Sequence, residues 1–366
     1  MDPRQQKLAK LLVNYSTRIK KGDIVRIQGE AVTIPLMKAI YKEVVKAGGN
    51  PFFQVTIPEA EEFMLKNGSD DQLSWVSPLQ KFEVEKIDAL FVLWGSENTK
   101  YLSGVDPARQ AMKQKHRKPI VDRIFARIGK KEISWVGTQF PTQADAQLAE
   151  MSLTDYENFV YGAGRLNDAD PVKHWEKIEK EQSRLVKIMN QVDVLRIRSN
   201  DTDLTMRVGG RKWISCAGRS NFPDGEVFTS PVENSANGRI RFTYPAVYGG
   251  REVTDVSFEL KNGKVVKESA TRNEQYLKKM LDMDKGARFV GEIAIGTNYD
   301  IKQFSRNTLF DEKIGGTCHM AVGAAFPEAG GKNKSALHWD MVCELKKGGE
   351  ITGDGRTIYR DGVFVV

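Results

Sequence analysis

The spacing of apolar and polar residues divides the chain into two halves with different periodicities. In the first half, apolar runs of strand length alternate with segments in which apolar residues recur at helical spacing. These segments lie at 24–28, 32–47, 52–57, 88–95, 106–128 and 133–137. Strand and helix in this order predict an α/β N-terminal domain with a parallel sheet and right-handed crossovers.

The second half is dominated by alternation with a period of two. A polar, helical stretch at 142–192 is interpreted as the connection between domains. After residue 193 the apolar residues alternate with polar ones, and only residues 272–284 have clear helical spacing. We therefore predict domains at 1–192 and 193–366, the second an α+β, mostly-β domain.

Composition narrows the class of protein. Hydrophobic residues make up 40% of the chain and charged residues 28%, and no apolar stretch reaches the length of a membrane span. The net charge of +7 is spread among interleaved acids, which argues against nucleic-acid binding. The N-terminus lacks the pattern of a secretory signal, and the three cysteines have no CxxC spacing. These features predict a cytoplasmic protein with no membrane and no nucleic-acid partner.

Two histidines and an aspartate in the second half form the first candidate site. His319 and His338 lie in apolar stretches next to glycines, where a hydrogen-bonded core histidine is the simpler explanation for either one alone. His338 and Asp340 are two apart in a predicted strand, so both side chains leave the same face. An imidazole and a carboxylate on one face suit Zn, Mn, Co or Fe.

Two glutamates interrupt apolar segments in the same half. Glu226 stands directly before Val227 and Phe228, and Glu292 breaks the apolar run FVGEIAIG. A buried glutamate is costly unless it pairs with a cation, which is either a metal or an arginine. Arginines close in sequence to Glu226 are Arg219, Arg239 and Arg241.

Four sequence blocks that contain these residues resemble one known family. They are PDGEVFTSPVE at 223–233, GEIAIGTN at 291–298, LFDEKIGGTCHMAVG at 309–323 and GGKNKSALHWDMV at 330–342. Together, in this order, they resemble the thermophilic-type aminopeptidases of metallopeptidase family M29. The N-terminal half fits the family's α/β domain in length and pattern but has no comparable signature.

The resemblance implies a metallo-aminopeptidase that hydrolyses N-terminal residues from short peptides with a water activated by two metals. It implies two divalent ions per chain (Zn, Co or Mn) and a homodimer. The implied metal ligands are Glu226, Glu292, His319, His338 and Asp340. Glu226 and Glu292 are also the candidates for the catalytic general base. Family members have a tyrosine where this chain has Phe326, and Tyr299 is considered as a substitute for the missing phenol.

Two alternatives remain open from sequence. His319, His338 and Asp340 alone could form a mononuclear Fe(II) triad, as in ring-cleaving dioxygenases that resemble this family. Both glutamates would then have no role. The second alternative is a non-catalytic binding protein with a degenerate site, which only Phe326 favours.

Overall fold

The chain forms two compact units. The computed structural model describes residues 2–366. The first unit extends to Val172 and includes Gly218–Phe222, and the second comprises Lys173–Ala217 and Pro223–Val366. The domain boundary placed between residues 192 and 193 stays a prediction.

The helices are concentrated in the first half of the sequence. They are α1 (Pro3–Leu11), α2 (Ile34–Lys46), α3 (Pro58–Asn67), α4 (Asp70–Ser74), α5 (Pro78–Lys86), α6 (Pro107–Gly129), α7 (Gln143–Leu148), α8 (Leu153–Ala163), α9 (Pro171–Met189), α10 (Glu274–Leu281) and α11 (Thr308–Asp311). Several begin with proline after a capping side chain; Asp106, for example, accepts a hydrogen bond from Ala108 N at the start of α6. Short 3₁₀ segments occur at Ala31–Thr33 and Pro327–Ala329, and a π-helical segment at Leu12–Ser16.

Most strands lie in the second half. The strands are β1 (Ile24–Glu30), β2 (Asn50–Thr56), β3 (Ala89–Trp94), β4 (Ser134–Gln139), β5 (Val194–Ser199), β6 (Thr202–Arg207), β7 (Ile214–Cys216), β8 (Asn221–Phe222), β9 (Glu226–Thr229), β10 (Asn237–Arg241), β11 (Ala246–Tyr248), β12 (Arg251–Val253), β13 (Ser257–Lys261), β14 (Lys264–Ser269), β15 (Val290–Gly296), β16 (Thr317–Gly323), β17 (His338–Glu344), β18 (Glu350–Gly353), β19 (Arg356–Arg360) and β20 (Val363–Phe364).

The first unit contains a parallel sheet with the strand order β2-β1-β3-β4-β8. Val25, Ile27 and Phe91 in its central strands are fully buried, as expected for strands that are covered on both faces. The predicted parallel sheet is therefore confirmed. The helices α3, α4 and α5 were not predicted, because each is short and has little apolar periodicity.

The second unit is built from antiparallel strands. Eight strands form one sheet in the order β14-β13-β10-β6-β5-β18-β19-β20, and five form another in the order β17-β16-β15-β9-β7. The strands β11 and β12 form a separate pair. The mostly-β character predicted for this half is confirmed. Within residues 2–366, no helix is both long and apolar enough for a membrane crossing.

The five-stranded sheet of the second unit, β17-β16-β15-β9-β7, has one face, the apolar face, in the main core. Its other face carries Glu292, His319 and Asp340 and is called the polar face below. Residues of the apolar face, among them Ile293, Met320 and Met341, belong to the main core of the second unit. Cys318 and Cys343 are opposite each other on adjacent strands and lie in the same core, with free thiols. The residues between these core residues point to the other face of the sheet.

A β-bulge at Gly291 allows Val290 to lie in the core while Glu292, two residues later, lies on the other face. Val290 is opposite Val322 in the core, and regular pairing would place Glu292 opposite the core residue Met320. The register instead shifts between Val290 and Glu292, so that Glu292 lies opposite Ala321 on the polar face. A Cβ atom at position 291 would lie 2.2 Å from the carbonyl oxygen of Ala324. Only glycine fits this close approach.

Replacing Gly291 with alanine is therefore expected to destabilise the second unit. We expect Gly291→Ala to lower the free energy of unfolding by about 1–3 kcal/mol, the usual cost of forcing extra volume into a packed site. Chemical denaturation measures the loss. Gly162→Ala is the matched control, since a Cβ atom there meets no atom within 4 Å. Equal stabilities of the two variants would contradict the role given to the bulge.

Candidate metal centre

Strand register brings the predicted residues together on the polar face of the five-stranded sheet. Glu292 is opposite Ala321, which in turn is opposite Asp340, so the two carboxylates share one row across three strands. His319 and His338 each lie two residues before a member of this row and therefore face the same side. Period-two alternation accounts for the position of all four side chains, since Glu292 alternates regularly with the core residues Ile293 and Ile295.

Glu226 joins the cluster from the neighbouring strand β9, where it is opposite Gly296 of β15. Its Oε2 atom lies 3.5 Å from His319 Nε2. His319 Nε2 is also 3.7 Å from Glu292 Oε1 and 4.0 Å from Asp340 Oδ1. His338 Nε2 is 3.3 Å from Glu292 Oε2 and 3.5 Å from Asp340 Oδ1. The structure thus brings all five sequence-predicted residues within a few ångströms of one another.

The main chain fixes the orientation of both imidazole rings. His319 Nδ1 is 2.8 Å from the carbonyl oxygen of Glu312, and His338 Nδ1 is 2.9 Å from that of Ala324. Because a carbonyl oxygen only accepts hydrogen bonds, each Nδ1 carries a proton and donates it. Each Nε2 therefore faces the carboxylates, which is the arrangement found in histidines that ligate metals.

Two charged residues of this cluster were missed by the sequence reasoning. Glu312 and Lys313 lie just after helix α11, inside the LFDEKIGGTCHMAVG block from which only His319 was selected. Glu312 offers a carboxylate oxygen to the same group as His319 and Asp340. The Lys313 ammonium group contacts Glu312 Oε1 and lies 3.6 Å from Glu226 Oε1. Neither stood out in the sequence, because an acidic and a basic residue between a short helix and a strand look like part of a solvated loop.

Burial of these charges shifts their pKa values. Burial raises the pKa of Glu226 to about 8 and also raises that of Glu312. Burial opposes the charged form of His319, but Glu292, Glu226 and Asp340 outweigh it and raise the pKa of the ring to about 10.

His338 and Asp340 shift each other in opposite directions. Burial again opposes the imidazolium form of His338, but Asp340 and Glu292 raise its pKa to about 12. Burial works against ionisation of Asp340 too, yet the neighbouring His338 lowers its pKa to about 2. Without a metal ion, the two rings and the Lys313 ammonium group compensate the carboxylates.

The donor set fits divalent metal ions. Glu292, His338 and Asp340 form one group of potential ligands, and Glu312, His319 and Asp340 form a second, with ligand atoms within 4.8 Å of one another in each group. Glu226 Oε2 and Asp340 Oδ1 are buried and have no hydrogen-bond partner in the described structure. Buried carboxylate oxygens without a donor are costly, and a cation removes that cost. Nitrogen and oxygen donors of this kind suit Zn, Mn and Co.

Aromatic side chains border the centre. The Phe326 ring lies 5.1 Å from the His338 ring and 5.0 Å from that of Phe228, so position 326 is next to the candidate ligands. Tyr299, considered as a substitute phenol, donates its hydroxyl to the carbonyl oxygen of Gly362 at 3.0 Å. The side chain that adjoins the centre is therefore a hydrocarbon.

A cleft opens beside two of the candidate ligands. Asp340 and Glu312 form part of its wall. Phe304, Val247 and Val342 supply an apolar part of the lining. The cluster is thus buried in the second unit and has a cleft next to its carboxylates.

Comparisons with known proteins agree with this geometry. Aminopeptidase 2 of Geobacillus stearothermophilus is 27% identical to the chain, over 97% of this chain and 96% of its own length. The solved structure of wild-type AmpT from Thermus thermophilus matches with a TM-score of 0.86 at 23% identity, covering 100% of this chain and 99% of that one. A 2,5-dihydroxypyridine dioxygenase from Pseudomonas putida matches with a TM-score of 0.57 at 14% identity, covering 100% and 98%. Both structural matches establish the fold.

The family itself follows from a match along nearly the whole sequence. The family model described as thermophilic metalloprotease (M29) matches residues 1–364. The resemblance inferred from the four sequence blocks is thereby confirmed. The chain belongs to the M29 family of thermophilic metalloproteases.

Proposed function

We propose that this chain is a metal-dependent aminopeptidase that removes N-terminal residues from short peptides. The observation that carries the proposal is the pair of ligand groups that share Asp340. A carboxylate common to both groups can ligate two neighbouring divalent ions at once. Family membership and the aminopeptidase relative from Geobacillus support the same reaction class.

The proposed ligands divide between two ions. Glu292, His338 and Asp340 would hold one ion, and Glu312, His319 and Asp340 would hold the other, with Zn, Co or Mn as the metal. Glu226 completes the set through the oxygen that faces His319. When bound, the two ions would supply a Lewis acid for the scissile carbonyl and a water molecule of lowered pKa.

The chain's own residues would orient the ligands and move the proton. The carbonyl oxygens of Glu312 and Ala324 hold the two imidazoles in the tautomer that leaves Nε2 for metal. Glu226 or Glu292 would accept the proton of the attacking water at a carboxylate oxygen and deliver it to the leaving amine. The unpartnered Glu226 Oε2 is one such acceptor.

Location and assembly belong to the same proposal. The cysteines Cys216, Cys318 and Cys343 are all free thiols, in keeping with the reducing cytoplasm. The homodimer implied by the family resemblance is proposed for this chain as well. Light scattering on the purified protein measures its mass in solution, and a monomer would contradict the dimer.

Metal content is the first test of the proposed site. We expect two divalent ions per chain by mass spectrometry after loading with Co²⁺, since two ligand groups share Asp340. Asp340→Asn, which alters both groups, should lose metal and more than about 100-fold in hydrolysis of a leucyl chromogenic substrate. Glu259→Gln, an exposed acid on β13, is the control. One ion per chain with ring-cleaving activity would favour the mononuclear iron alternative, and full activity of Asp340→Asn would contradict the assignment.

Proton release provides a second test. The raised pKa values of His319 and His338 mean that both rings are protonated in the metal-free protein at pH 7. Metal binding must displace these protons, so at least about two protons per chain should be released. The apparent Kd should then rise roughly tenfold per displaced proton for each pH unit of acidification. Calorimetry in buffers of different ionisation enthalpy counts the protons, and a pH-independent Kd would contradict the assignment of the rings as ligands.

A third test concerns the aromatic residue beside His338. Phe326→Tyr places a hydroxyl near the centre, where it can donate to the oxyanion of the tetrahedral intermediate. We expect kcat for the leucyl substrate to rise by about tenfold or more, with a smaller change in KM. Phe326→Leu is the control that alters the ring without adding a donor. An equal response of kcat in the two variants would rule out stabilisation by the phenol.

A further inference from the structure

Lys313 is a lysine with no exposed side-chain surface, which is rare for this residue type. Its backbone is anchored on both sides. Lys313 N donates to the carbonyl oxygen of Phe310 at 3.0 Å, and Lys313 O accepts from Asn298 N at 3.0 Å. The side chain therefore starts from a fixed backbone position, and its ammonium group lies beside the carboxylates of Glu226 and Glu312.

The lysine engages one oxygen of each of two proposed ligands. Its Nζ atom lies 3.6 Å from Glu226 Oε1 and contacts Glu312 Oε1. The other oxygen of Glu226, Oε2, faces His319 Nε2 at 3.5 Å. This ion pair, although longer than a hydrogen bond, favours the orientation in which Oε1 faces the ammonium group. The second oxygen then faces the centre of the site.

The positive charge of Lys313 also affects the repulsion among the carboxylates and the binding of metal ions. The cluster contains the carboxylates of Glu226, Glu292, Glu312 and Asp340, and Lys313 provides a permanent positive charge among them. In the metal-free protein this charge reduces the repulsion among buried carboxylates. Once two divalent ions are bound, four positive charges already match the four carboxylates, and the ammonium group then repels the ions.

We propose that Lys313 is a built-in cation of the metal centre, which holds Glu226 and Glu312 in place before metal arrives and weakens the binding of the last ion. The inference rests on the proposed function for the identity of the site. Lys313 acts through the ligands and is a positioning residue. It makes the site a preformed one whose metal affinity is limited by a charge that the chain itself carries.

The test compares metal-free and Co²⁺-loaded protein. Lys313→Met keeps the length of the side chain and removes its charge. The metal-free variant should lose roughly 5–15 °C in Tm, because removing one partner leaves buried charges unpaired. The Co²⁺-loaded variant should lose much less, and chelator competition should show the weaker Co²⁺ site tightened by roughly tenfold or more.

The control and the second variant separate charge from packing. Lys278→Met removes an exposed lysine paired with Glu274 on α10, and it should change neither Tm nor Co²⁺ affinity. Lys313→Met combined with Glu226→Gln removes an ammonium group and a carboxylate together. This double variant should recover most of the metal-free Tm. A lysine needed only for packing gives equal Tm losses in both states and no recovery, and either result overturns the inference.

The outcomes also separate this inference from the proposed function. If the wild-type chain binds two Co²⁺ ions and Lys313→Met changes neither Tm nor affinity, the lysine inference fails and the peptidase proposal stands. If the wild-type chain binds no Co²⁺ but the double variant restores the metal-free Tm, the peptidase proposal fails. Lys313 would then still be the counter-ion of the carboxylates.

Discussion

Negative charge collected on one buried face of a sheet is the constraint on which the second unit depends. Glu226 and Glu292 are almost completely buried, and Asp340 and Glu312 lie beside them. An uncompensated buried carboxylate costs several kcal/mol, so the fold must supply or recruit positive charge at this place. Lys313 supplies one charge permanently, the two imidazoles supply charge by protonation, and the proposed metal ions supply the remainder.

Strand geometry explains how so many ligands meet without distorting the fold. Three adjacent antiparallel strands place Glu292, Ala321 and Asp340 in one row, and the small side chain of Ala321 leaves space between the two acids. The rings of His319 and His338 are fixed by main-chain carbonyls. The orientation of the rings thus depends on the backbone path and not on further side chains, which makes the centre a property of the sheet itself.

The sequence predicts the architecture well where periodicity is strong. The parallel sheet of the first unit and the antiparallel strands of the second follow from apolar runs and period-two alternation, whereas the short helices from Pro58 to Lys86 have too little apolar patterning to be seen. His338 and Asp340 could be placed on one face from their spacing. Their proximity to Glu226 depended on the family resemblance, because contacts between distant strands have no local signature.

Two features of this region were beyond local pattern. The bulge at Gly291, which lets Val290 lie in the core although Glu292 faces the other way, has no signature in the apolar spacing. Glu312 and Lys313 lie outside the strands, after a helix of a single turn, where their letters resemble those of any solvated loop. The spacing to His319 gives no indication of contact, since the chain must turn between them.

The alternation of ligand and core residues along one strand has a consequence for folding fidelity. In β17 the proposed ligands His338 and Asp340 alternate with Trp339 and Met341, which are buried in the core. A slip of this strand by one residue would press an imidazole and a carboxylate into hydrocarbon and turn an indole toward the acids. Misaligned chains would therefore fail in packing as well as in chemistry. A molecule that attains its core has, by the same pairing of strands, also aligned its proposed metal ligands.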